Sequence, residues 1–79
     1  MFTSDTGLVT ESDVEAYLGR ARFARMNYYM VKHQHRAGQA FFNVLDADDQ
    51  KKLRGTVADP FEAQFYPAVL NALEFLLNN

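Results

Sequence analysis

Residues 12–45 read SDVEAYLGRARFARMNYYMVKHQHRAGQAFFNVL, and this stretch decides the fold. Val14, Tyr17, Ala21, Ala24, Tyr28 and Val31 recur at alternating steps of three and four, the spacing of one helix face. Phe23 and Met30 widen that apolar arc. No proline interrupts the chain before Pro60. The spacing predicts a first helix from about Ser12 to Lys32, in which Gly19 weakens the helix without ending it. His33-Gln34-His35 reads as a bend, and a second helix covers Arg36 to Leu45.

Upstream, Thr10 with Asp13 and Ser12 with Glu15 both fit a capping box. Glu11, Asp13 and Glu15 lie where a helix dipole favours negative charge. Residues 1–10 read as an N-terminal arm, disordered or loosely docked, with residues 11–79 forming a single helical domain. The arm has neither the basic region nor the apolar core of a secretory signal. Downstream, Asp46 reads as the cap of a short helix from Ala47 to Arg54, with Gly55 as its left-handed stop. Asp59-Pro60 repeats the pattern of cap followed by proline. The final helix, Pro67 to Leu77, is apolar nearly all round, with a polar stripe of Asn71, Glu74 and Asn78. Such a helix is buried on most sides, either as a central core element or against a second copy. The fold class is therefore all-α, a small bundle of three to four helices, with a homodimer through Pro67–Leu77 as one architecture.

The chain has 79 residues, 48% of them hydrophobic and none of them cysteine, so no disulfide supports it. A core this small must be dense or shared. No apolar run reaches the ~20 residues that cross a bilayer, which gives no expectation of a membrane. The net charge is −2, but it is unevenly laid out. Residues 1–19 hold four acids and no base, whereas residues 20–36 hold five bases and no acid. On a continuous helix Arg22, Arg25, Lys32 and Arg36 fall in one stripe with Tyr29, opposite the apolar arc. That stripe is either an ordinary solvated face or a surface for phosphates or an acidic partner. A pI near 5.5 speaks against nucleic acid as the first choice.

Catalytic groups are scarce. Ser4 and Ser12 lie in the arm and at a cap, so no Ser-His-acid triad forms. His33 and His35 lack a third ligand, and the EF-hand positions counted from Asp46 hold Lys51 and Val57 in place of Gly and Glu. No metal, cofactor or catalytic residue is expected, and the chain reads as a non-enzyme.

Arg36, Gln39 and Asn43 share a face of an otherwise apolar helix, beside Gly38. Either Gly38 permits a close crossing while Gln39 and Asn43 tie down the Asp59-Pro60-Phe61 turn and Arg36 pairs with Asp59, or these residues form an exposed recognition surface. The run Arg36-Ala37-Gly38-Gln39-Ala40-Phe41-Phe42-Asn43-Val44-Leu45 resembles a pattern in small uncharacterised proteins of tailed bacteriophages, R-x-G-Q-A-x-x-N-x-L. In those proteins an aromatic-rich helix precedes it, as Asn27-Tyr28-Tyr29-Met30 does here. G-T and D-P-F follow it, matching Gly55, Thr56, Asp59, Pro60 and Phe61, and a short apolar helix closes the chain. The resemblance spans residues 27–77 and departs at Glu62, where the family often has Tyr. It implies a phage or prophage origin and action in the cytoplasm of an infected bacterium, and it supplies no activity.

The leading expectation is an accessory protein that binds a bacterial host protein, in anti-CRISPR, other anti-defence or host-takeover inhibition, through Arg22, Arg25, Tyr29, Lys32 and Arg36. The alternatives are a small helical nucleic-acid-binding or regulatory protein using the basic strip of residues 20–36, and a structural homo-oligomer of a virion or assembly complex.

Overall fold

The computed structural model describes residues 2–78. It is all-α, with α1 at Glu11–Leu18, α2 at Arg20–Lys32, α3 at Ala37–Val44, α4 at Ala47–Leu53 and α5 at Tyr66–Leu77. The body measures 30 × 27 × 22 Å. Helix α5 is the central element, packing on α1, α3 and α4, and α2 packs on α1 and α3.

The expected helix from Ser12 to Lys32 is two helices. Gly19 ends α1 and starts α2 with φ 83° and ψ 161°, a conformation that side chains other than hydrogen adopt only under strain. The break resets the helical register. Val14 and Leu18 are buried on α1, but on α2 the inward side is Met26, with Phe23, Tyr29 and Met30 packed around it. Ala21, Ala24, Tyr28 and Val31, which the spacing assigns to the core, face solvent instead. The extra break also explains five helices where three to four are expected.

Other boundaries follow local chemistry. The Asp13 carboxylate accepts from the Thr10 N–H at 2.8 Å, so the Thr10 pair, and not the Ser12 pair, starts α1. Asp46 caps α4 by accepting from the Asp49 N–H at 2.9 Å. Pro67 stands in the first turn of α5, where its missing N–H has no partner to lose.

The arm is docked. Ser4 and Val9 are buried, with the Ser4 N–H on the Val9 carbonyl at 2.9 Å. The Asp5 N–H donates to Asn71 Oδ1 at 2.8 Å, and the Thr6 hydroxyl donates to Glu74 Oε1 at 2.6 Å. Phe2 stacks on Tyr66. Asn71 and Glu74, two members of the polar stripe of α5, thus hold the arm. The apolar ring of the same helix is covered within the chain, with Val69, Leu70, Ala72, Leu73 and Leu76 buried. Phe65 and Leu77 stay exposed at its two ends.

Candidate functional site

The five expected contact residues do not form one free strip. Arg22 is half-buried, and its Nη1 donates to the Val44 carbonyl at 3.4 Å. It therefore serves the C-terminal end of α3, where carbonyls lack partners within their own helix and a cation is favourable. Gln50 Nε2 serves the same end, donating to the Phe42 carbonyl at 2.8 Å. Arg36 donates from Nε and Nη2 to the Phe61 carbonyl and stands 5.8 Å from the Phe61 ring centroid. Tyr29 is half-buried among rings. Only Arg25 and Lys32 are exposed, and among the described residues neither has a carboxylate partner.

Arg25 and Lys32 instead flank the apolar positions that the helical spacing places in the core. The outer face of α2 presents Ala21, Ala24, Tyr28 and Val31 beside them, with Tyr28 53% and Val31 74% exposed. These two are large side chains left uncovered on one helix that carries no acid. The sequence does contain this face. A helical register carried unbroken through Gly19 assigns it to the core.

At the C-terminal end of α2 the rings gather. Tyr29 lies 5.9 Å from His33 and 5.4 Å from His35, and Tyr28 lies 5.5 Å from His33. Gln34 takes φ 55° between the two imidazoles, whose centroids are 5.9 Å apart. His35 Nδ1 is buried without a hydrogen-bond partner. Among the described residues no group of three or more His, Cys, Asp or Glu side chains is arranged to hold a metal ion.

The motif residues converge on a second region. Gly38 lies so close to the connector between α4 and α5 that a Cβ would overlap the Pro60 carbonyl oxygen. Its N–H donates to the Ala63 carbonyl at 3.1 Å. Pro60 is fully buried. Asp59 does not pair with Arg36. Its two carboxylate oxygens accept from the Gly55 and Phe61 N–H groups at 3.0 and 3.1 Å, because those amides lie within reach in the same turn. Gln39 and Asn43 do not tie down this turn: Gln39 is half-buried, Asn43 is exposed, and neither makes a side-chain hydrogen bond within the described residues. The close crossing at Gly38 is thus present, while the amide ties and the Arg36–Asp59 pair are not. Phe42 packs edge to face on Phe61, and Arg54 stands 5.7 Å from the Phe42 centroid. Neither Phe42 nor Arg54 stood out in the sequence as a site residue, although Phe42 lies inside the motif.

Three acidic hydroxyls or carboxyls have displaced titrations. Burial and the hydrogen bond from Tyr17 to Asp49, at 2.7 Å, raise the Tyr17 phenol to about 12. Burial, with the charge of Glu11, raises Tyr66. The Thr6 hydroxyl, followed by that of Ser4, lowers Glu74 below the usual carboxylate range. All three belong to structural contacts.

No family model matches the chain, and no curated protein or solved structure does.

Proposed function

We propose that the chain is a non-enzymatic phage accessory protein that binds a bacterial host protein through the outer face of α2. The phage and host terms rest on the motif resemblance. The binding mode rests on one observation: Tyr28 and Val31 are exposed on a helix whose free cations are Arg20, Arg25 and Lys32. An aromatic anchor with an aliphatic neighbour and a rim of like charge is the composition of a protein-docking patch. The matching partner surface is apolar at its centre and acidic at its edge. A modulating role, in anti-defence or in inhibition of a host enzyme, follows from docking without catalysis. The cytoplasm of the infected cell is the corresponding place of action.

The bases that would track phosphates are fewer than the sequence implies, because Arg22 and Arg36 are engaged with backbone carbonyls. That favours a protein partner over nucleic acid. The test is affinity capture from host lysate with the wild-type chain and with the double variants Tyr28→Ala/Val31→Ala and Arg25→Glu/Lys32→Glu. Both pairs are exposed, so circular dichroism should show unchanged helix content. A host protein retained by wild type and lost with both variants supports the proposal. Capture that is indifferent to both variants, or a low-salt gel shift with DNA or RNA that Arg25→Glu/Lys32→Glu abolishes, overturns it.

A further inference from the structure

The end of α4, the connector after it and α3 together line an open cleft of about 440 Å³, bounded by Phe42, Arg54, Asp59, Phe61 and Glu62. Its apolar surface is the half-buried Phe61 ring, which packs edge to face on the buried Phe42 with ring centroids 5.6 Å apart at 86°. Its charged groups differ in how they are engaged. Asp59 is part of the frame, since each carboxylate oxygen already receives a backbone N–H. Arg54 and Glu62 are exposed, come from different segments of the chain, and have no ion-pair partner among the described residues. The cleft is therefore bordered by a cation that rests 5.7 Å from the Phe42 ring centroid and by an anion, neither of which has an ion-pair partner among the described residues. The frame is also rigid. Gly38 lies against Pro60, and the connector closes on itself through Thr56, Asp59 and Ala63. A preformed site loses little freedom when a ligand enters.

We propose that this cleft receives a short polypeptide segment in which an apolar side chain stands between an acidic and a basic residue. The apolar side chain covers the exposed part of the Phe61 ring, the acid meets Arg54 and the base meets Glu62. Phosphate-rich ligands are disfavoured because Asp59 and Glu62 are both carboxylates. The inference rests on the reading of the chain as a protein-binding module, in that the ligand is a polypeptide, but it uses a surface built from other elements than α2.

Titration of the ¹⁵N-labelled full chain with three capped peptides tests it: Ac-Glu-Phe-Lys-NH₂, Ac-Lys-Phe-Glu-NH₂ and Ac-Gln-Phe-Gln-NH₂. One charged peptide should move the amide signals of Phe42, Arg54, Phe61 and Glu62 and bind about threefold or more tighter than the neutral one. Arg54→Gln and Glu62→Gln, both at exposed positions, should each reduce that preference with the spectrum otherwise unchanged. Equal affinity for all three peptides overturns the proposal. So do shifts confined to Tyr28 and Val31, or cleft shifts produced by concentrating the protein alone, which would assign the cleft to a second copy. If the peptides fail while α2-dependent capture persists, only the cleft proposal falls. If capture is indifferent to the α2 variants while peptide selectivity holds, only the α2 surface falls.

Discussion

Gly38 and Asn43 share one helix and one sequence motif, yet the structure asks opposite things of them. Gly38 faces the Pro60 carbonyl with no space for a methyl group. Gly38→Ala must push the connector away from α3, and we expect a loss of about 3 kcal/mol in urea unfolding. Asn43 is exposed and unbonded, so Asn43→Ala should stay within about 0.5 kcal/mol of wild type in the same measurement. The close approach at Gly38 was legible because a glycine beside apolar residues, followed downstream by a proline turn, has few other uses. The amide ties were not legible, since the turn satisfies its own N–H groups through Asp59 and needs no donor or acceptor from α3. The partners of Arg22 and Arg36 were hidden for a related reason. Opposite charges can be matched by eye along a sequence, whereas the unpaired carbonyls at Val44 and Phe61 exist only once the helices are packed.

Among the helices, α3, α4 and α5 begin and end close to where their residues indicate. Asp46 and Pro67 act within a few residues of themselves, so local chemistry suffices. The α1–α2 boundary depends on the backbone angle of Gly19, which spacing does not encode. A helix tolerates a glycine at a cost of about 1 kcal/mol, so its presence alone decides nothing. The structure makes it decisive, and Gly19→Ala becomes a test of the break. Open space surrounds the position, so the methyl group meets no clash and the cost is that of the backbone conformation. We expect a loss of about 1–3 kcal/mol by chemical denaturation. A stability equal to or above wild type would mean that α1 and α2 can join into one helix. The same junction accounts for the α2 surface. A register continued from α1 through Gly19 assigns the exposed apolar face of α2 to the core, and the break at Gly19 turns that face to solvent.

At the level of the whole molecule, the arm, α1 and α4 are fastened to the core by polar contacts between distant parts of the chain. One is the Tyr17–Asp49 hydrogen bond, which reaches across 32 residues to a carboxylate only 9% exposed. The Tyr17 phenol titrates at about 12 in the folded chain against 10.0 when free. Its neutral form is therefore favoured by folding. The stabilisation is fully present below pH 10 and fades as pH rises toward 12, because the unfolded chain ionises first. Tyr66 shifts in the same direction. Denaturant midpoints of wild type and Tyr17→Phe should accordingly draw together between pH 9 and pH 12, with wild type ahead at pH 8. A gap that stays constant over that range would show that the phenol is not held by Asp49.

The chain contains four tyrosines and no tryptophan, so its ultraviolet emission is dominated by phenols. A phenol that donates to a carboxylate is darkened by excited-state proton transfer, so Tyr17 should be dim in the native protein. Separation of α1 from α4 should then register as brightening, and the molecule carries a built-in optical gauge of that seam without any attached dye.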